Sequence, residues 1–430
     1  MIARRLVAIP FALAVFAAPI IMALPIGHPS VVVQVFATTR THCVEQARKP
    51  DIGRTREPIT LFGDRGARVS ARAQWDLKGD DMNELIIKII RNLLRGVAVV
   101  VAVAIAVAGY LVYPGTPSDA SSLIFQGFVP LPSAALLSVL DYLTVNDHEL
   151  YVTNESTGDV YRVHIREDAL PTAADVSRLP GEPAAHGVVI EPSSHLAFVT
   201  RSDANSVDIF DPDTMAAIKR IPVADDPDAV FYDELNRLVY VASGDSHLAT
   251  LIDPATRVTL ATIPLGGKPE FAALDVSRSL LYQNLHDTDS VVAIDIAKRA
   301  VVQRWPLQGC TAPTGMAFDD IHRQLFIGCG ANAVLAVFDL SEHRVVATIP
   351  IGKGPDSVAF DPGLHRIYTT GKSGVLVVIQ QEEPNKYRIL DTVHLHYGAH
   401  TLAVDSRTHV LYVGYAGLIV NPRVAVFIPR

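Results

Sequence analysis

The chain has 430 residues, three cysteines, 49% hydrophobic and 19% charged residues, and a formal charge of −8. It holds no Cys-x-x-Cys pair and no Cys-x-x-Cys-His, so neither a cysteine-built zinc site nor covalently attached haem is expected. Charge divides unevenly: residues 1–119 carry 14 basic and 9 acidic groups, and residues 120–430 carry 23 and 36. The larger part therefore repels phosphate backbones, and no nucleic-acid partner is expected.

In chain order, residues 6–26 are apolar behind Arg4 and Arg5, and residues 96–113 are apolar behind Lys88, Arg91 and Arg95. Both resemble export segments. The second has about the minimum length of a transmembrane helix. It reads as a membrane anchor, with cleavage after Ala106-Val107-Ala108 as the alternative. Residues 40–95 hold twelve Lys or Arg against eight Asp or Glu, an excess that should stay cytoplasmic and place the following residues on the far side. Met82-Asn83-Glu84 would make an ordinary start for a signal-anchor. Residues 1–81 are thus either an over-extended reading frame or a second span, residues 82–119 a signal-anchor or signal peptide, and residues 120–430 the folded domain.

From residue 151 onward one pattern dominates. Tyr151, Phe198, Tyr240, Tyr282, Phe326, Tyr368 and Tyr412 recur at intervals of 47, 42, 42, 44, 42 and 44, which marks seven copies of one supersecondary unit. Each copy holds short apolar runs rich in Val, Ile, Phe and Tyr, punctuated by Asp, Pro, Gly and Asn, the signature of strands and turns. In the copy from residue 227, strand A starts at Ala229, B runs from Arg237 to Ala242, C from Ala249 to Ile252 and D from Val258 to Leu265. Four strands per copy arranged in a circle predict an all-β seven-bladed propeller. The last copy ends after its third strand, Arg423 to Ile428. Ile124–Leu131 reads like a fourth strand, so the N-terminal strand is expected to complete the C-terminal blade and remove two open edges.

Leu150-Tyr151-Val152-Thr153-Asn154 carries the repeat name of the YVTN β-propeller family. The segments Gly267-Lys268-Pro269-Glu270-Phe271, Gly309-Cys310-Thr311-Ala312-Pro313-Thr314-Gly315 and Thr348-Ile349-Pro350-Ile351-Gly352 resemble its exported, YncE-like branch. The resemblance covers about residues 120–430. It implies an extracytoplasmic seven-bladed propeller and carries little about biochemical role. WD40 propellers are the main rival, but Trp75 and Trp305 are the only tryptophans, so Trp-Asp repeat ends are missing.

Cys310 precedes strand A and Cys329 ends strand B of one copy. An antiparallel A–B pair brings them to the same face, where an oxidising compartment would join them. Two unpaired small residues are the alternative.

Propeller ligands sit at the mouth of the central channel, where the loops entering strands A meet those joining strands B and C. Counting back twelve residues from each recurring aromatic gives Val139, His186, Asp228, Glu270, Thr314, Asp356 and His400. Arg201, His247, His286 and Lys372 join them from the B–C loops, with Asn154, Glu155, Asp203 and Asp287. Imidazoles and carboxylates in one ring suit a divalent metal ion, with nitrogen donors favouring zinc, iron or manganese. His186, Asp356 and His400 are the expected ligands because blades six, seven, one and two follow one another around the ring. Polar strand starts in a wet channel explain the same residues without a metal.

No serine stands in a local arrangement with His and Asp. The expected function is a non-enzymatic, membrane-tethered binding module at the cell envelope, its partner a small-molecule ligand or an envelope protein. The alternative is a metal-dependent hydrolase of the lactonase type.

Overall fold

The computed structural model describes residues 87–88, 90–103, 115–133, 135–166, 169–396, 398–418 and 421–430. The chain divides into two compact units, Met1–Ala104 and Ile105–Arg430. In the first, residues 90–103 are helical with exposed side chains. Among the described residues no helix is long and apolar enough to cross a membrane. The expected span at 96–113 is described only as far as residue 103, and the apolar segment 6–26 lies outside the described residues.

The second unit is a ring of seven four-stranded antiparallel sheets. Blade 1 runs from the inner strand Leu140–Asn146 to the outer strand Val176–Leu179, and blade 2 from Ala185–Glu191 to Ala216–Pro222. Blade 3 runs from Pro227–Asp233 to Val258–Pro264, and blade 4 from Pro269–Asp275 to Ala300–Pro306. Blade 5 runs from Pro313–Asp319 to Arg344–Pro350, and blade 6 from Pro355–Asp361 to Lys386–His394. Inner strands begin up to two residues earlier than the apolar runs suggest, because Pro227 and Asp228 already lie in the strand. The recurring aromatics all sit in second strands and are buried between blades. Burial follows position in the blade: Leu196–Arg201 is buried at every residue, whereas the outer strand Ala216–Pro222 buries only Ile221.

Blade 7 is built from both ends of the domain. Its strands Thr401–Asp405, Val410–Tyr415 and Arg423–Pro429 are completed by Leu123–Pro130, which pairs antiparallel with Arg423–Pro429 from Leu123↔Pro429 to Pro130↔Arg423. Every edge that this pairing removes would otherwise present free backbone donors and acceptors. Asp391 of blade 6 holds the entering segment, accepting from the backbone N–H groups of Ser121 at 3.1 Å and Ser122 at 2.6 Å.

On the face of the A–B turns, inner strands end in an acid that folds back as an Asx turn. Asp233, Asp319 and Asp405 accept from the N–H groups of Leu235, Ile321 and Arg407 at 3.0 to 3.1 Å. Several of these acids also grip the next blade. Asp275 of blade 4 pairs with Arg323 of blade 5 at 2.5 Å, and Asp361 of blade 6 with His409 of blade 7 at 2.9 Å. Within blade 5 a disulfide joins Cys310 to Cys329, Cα atoms 5.2 Å apart and both side chains buried.

Candidate functional site

Pairing between the inner and second strands slips near the channel mouth. The slip falls between Leu140 and Leu143, Ala185 and Val188, Pro227 and Val230, and Pro269 and Ala272. A bulge of this kind re-aims the residue it contains. That residue is His186, Asp228, Glu270, Thr314 or Asp356, each second in its inner strand, with His400 just before the inner strand of blade 7.

Blade 1 departs from the count. Its inner hairpin turns in two residues, between Asn146 and Glu149, where blade 2 uses four between Glu191 and Leu196. Counting twelve back from Tyr151 therefore overshoots to Val139, and the ring residue is Asp141. The short turn shows in the backbone, where Asp147 takes the positive φ of 51° that two-residue hairpin loops favour.

Asp141 completes the tightest cluster at the mouth. His186 Nδ1 lies 2.5 Å from Asp141 Oδ2 and 3.7 Å from Asp228 Oδ1, and His186 Nε2 lies 2.9 Å from the hydroxyl of Ser202. Asp141, His186 and Asp228 form the one group of three potential metal ligands among the described residues, with donor atoms within 4.8 Å of one another. Asp228 Oδ1 is buried and makes no hydrogen bond. The backbone beneath is fixed, because Thr200 of blade 2 donates its hydroxyl to the Asp228 carbonyl at 2.6 Å.

A second pair stands on the other side of the ring. His400 Nδ1 lies 2.7 Å from Asp356 Oδ2, an ion-pair contact without hydrogen-bond geometry. The expected trio of His186, Asp356 and His400 is thus split between two clusters. Glu270 is coupled electrostatically to both clusters, through Asp228 and Asp356, and its carboxylate makes no hydrogen bond or ion pair among the described residues. Thr314 is turned away from the channel, its hydroxyl donating to the carbonyls of Gly328 at 3.2 Å and Pro355 at 2.8 Å.

Electrostatics couple these groups across the mouth. Burial opposes a charge on His186, but Asp141 first, then Asp228 and Glu155, outweigh it and push its pKa up to about 10. Burial raises Asp228 to about 6 although His186 pulls it down. Burial, reinforced by Asp228 and Asp356 and opposed by Lys268 and Lys372, raises Glu270 to about 8. Burial opposes the charge on His400, and Asp356 more than compensates, raising it. At neutral pH the mouth therefore pairs the His186 imidazolium with carboxylates and leaves Glu270 mostly protonated.

Asp141, His186 and Ser202 have the connectivity of a nucleophilic triad, which no local sequence pattern reveals because Asp141 lies in the inner strand of blade 1, His186 in that of blade 2 and Ser202 in the turn after the second strand of blade 2. A ring held as imidazolium donates to Ser202 and does not take its proton, so this arrangement fixes the ring rather than activating the hydroxyl.

The remaining expected residues fall into two groups. His247, His286 and Lys372 stand on the rim: His247 is 3.8 Å from Asp287 and half-exposed, burial and Lys268 lower the pKa of His286, and Lys372 is exposed. Arg201, expected on the crown, is instead buried. It pairs with Asp208 at 3.0 Å and donates to the carbonyls of Gly158 and Glu182, tying blade 2 to blade 1.

Beneath the ring lies an aromatic floor that the sequence reading did not include. Tyr142 stacks on Phe271 with centroids 5.7 Å apart and planes 14° from parallel, and Phe231 meets Phe271 edge-on at 5.5 Å. The hydroxyl of Tyr142 stands against Asp228.

No family model and no curated protein matches the chain. Among solved structures it is similar to hydrazine synthase of Kuenenia stuttgartiensis, at 15% identity over 64% of this chain and 92% of that one, with a TM-score of 0.57. It is also similar to the WD40 repeats of RRP9, at 12% identity over 74% of this chain and all of that one, with a TM-score of 0.59. At these identities the likeness is one of fold, and what it establishes is the seven-bladed β-propeller.

Proposed function

We propose that this propeller is a binding module that seats a small cationic ligand at the mouth of its central channel. The observation that carries the reading is Glu270, an acid without a hydrogen-bond or ion-pair partner among the described residues, which feels Asp228 and Asp356 as well as Lys268 and Lys372 and directly precedes Phe271 of the Tyr142–Phe271 floor. Carboxylates above aromatic faces favour positive charge twice over, by Coulomb attraction and by the ring quadrupole.

The finer assignments belong to the same proposal. The repeat resembles the YVTN family in its exported, YncE-like branch. An extracytoplasmic location with a tether through residues 96–113 fits the basic residues before that segment, and the Cys310–Cys329 bond suits an oxidising compartment. The net negative charge of the domain argues for a small molecule or an envelope protein over nucleic acid.

The test is thermal denaturation of the full chain with alkylammonium ions, polyamines, divalent metals and matched anions. A ligand that binds only the folded state raises Tm. Stabilisation by cations, absent with anions and lost in Glu270→Gln/Asp228→Asn, is expected. Stabilisation by anions alone, or by nothing, would overturn the reading.

A further inference from the structure

We infer that Asp141, His186 and Asp228 form a centre for a first-row transition-metal ion, bound through the Nδ1 atom of His186. The inference rests on the cation-site reading above and narrows it to one ion class and one set of donors.

Three features of geometry support it. The donor atoms of one imidazole and two carboxylates already converge, with Nδ1 at 2.5 Å and 3.7 Å from its two oxygens. Metal bonds of roughly 2.0–2.1 Å at tetrahedral angles place donors about 3.3 Å apart. The closer contact therefore has to open by less than about 1 Å, within the reach of a side-chain rotation. Asp228 Oδ1 is a buried acceptor with nothing to accept from, which is the state of a ligand atom awaiting its ion.

The second feature is the outer shell. A ligating imidazole nearly always gives its other N–H to a fixed acceptor, and His186 Nε2 is held at 2.9 Å by Ser202. That bond leaves Nδ1 as the ligating atom, and the ion takes the place of the proton between Nδ1 and Asp141, which is released to solvent. Tyr142 stands on Asp228 in the same supporting role, and Thr200 fixes the Asp228 backbone. The two carboxylates and the ring come from three successive blades, so the ring of the fold sets their spacing.

The third feature is the chemistry of the set. One nitrogen and two oxygens suit zinc, iron, cobalt or manganese better than calcium, which takes six to eight oxygens. Three protein donors leave at least one coordination position facing the channel, where a water or the terminal group of a ligand can enter.

The experiment uses the full chain, stripped of metal and titrated with Co²⁺ as a spectroscopic probe, then with Zn²⁺ in competition. One Co²⁺ per chain with visible d–d bands, displaced by Zn²⁺, is expected. Affinity should fall about 100-fold or more in His186→Gln and Asp228→Asn and about tenfold in Ser202→Ala, and stay unchanged in His195→Ala, which removes an exposed imidazole on an A–B turn. Imidazole ¹⁵N NMR on the Zn²⁺-loaded wild type needs no variant and should show Nδ1 coordinated and Nε2 protonated. No Co²⁺ uptake, uptake unchanged in both ligand variants, or coordination through Nε2 would overturn the metal centre. If alkylammonium ions still stabilise that same protein, the cation-binding reading survives while the metal centre falls.

Discussion

Tyr142 and Phe271 stack face to face, centroids 5.7 Å apart, although they belong to blades 1 and 4. Blades 1 and 4 are not neighbours in a ring of seven, so the contact spans the propeller axis. Each aromatic directly follows a ring acid, Asp141 or Glu270, which puts the floor one residue below the charged mouth. The pair makes the mouth a cup with an apolar base. Truncating either ring should weaken cation binding, and a double-mutant cycle of Tyr142→Ala and Phe271→Ala should give a coupling of about 0.5–1.5 kcal/mol in stability. A coupling near zero from chemical denaturation would mean that the rings do not meet across the axis.

Glu270 gives the site a pH dependence. Burial first, then Asp228 and Asp356, raise its carboxyl from 4.5 to about 8. A cation that pairs with the ionised form must expel that proton, so affinity should rise about tenfold between pH 7 and pH 9. Calorimetry in buffers of different ionisation enthalpy should register the proton released at pH 7.

The same shift bears on stability. A carboxyl with a raised folded pKa contributes stability in full below 4.5 and loses it as the pH climbs through about 8. Glu270→Gln should therefore raise Tm at pH 9 by about 2 °C or more and leave it nearly unchanged at pH 4. An equal change at both pH values would remove the titration of Glu270 as the cause.

Arg201 should behave as a structural residue. Its guanidinium is buried with Asp208 and two backbone carbonyls as partners; Arg220 still holds Asp208 when Arg201 is removed, so Arg201→Ala leaves the carbonyls of Gly158 and Glu182 without their donor and should cost about 1–3 kcal/mol. Cation affinity of the folded fraction should stay at the wild-type level. A loss of affinity at intact stability would return Arg201 to the ligand site.

Closure by the N-terminal strand separates two substitutions on that one strand in their effect. Val129 is fully buried and pairs with Val424, whereas Ile124 on the same strand is 39% exposed. Val129→Asp should cost more than about 3 kcal/mol, as an unpaired buried charge does, and Ile124→Asp less than about 1 kcal/mol. Equal effects in urea denaturation would argue against this strand as the seal of blade 7.

The fold was legible because propeller blades repeat their chemistry: an aromatic in each second strand and an acid at the end of most inner strands leave a period that survives poor identity. The ring was legible at His186, Asp228, Glu270, Asp356 and His400 for the same reason. Asp141 was hidden by a hairpin two residues shorter than its counterparts, which shifts the count without altering the period. Arg201 was misplaced because its partners, Asp208 in the next strand and the carbonyls of Gly158 and Glu182 in the preceding repeat, exist only once the blades pack. The Asp141–His186–Ser202 line and the Tyr142–Phe271 stack likewise join different blades, and no local pattern encodes which blades face each other.

The most direct test of the account is isothermal titration of small cations, organic and metallic, into the full chain at pH 8.5, beside the Asp228→Asn/Glu270→Gln double variant. The account predicts saturable binding at one site per chain in the wild type and none in the variant. No binding by any cation, or binding that survives both substitutions, would contradict it.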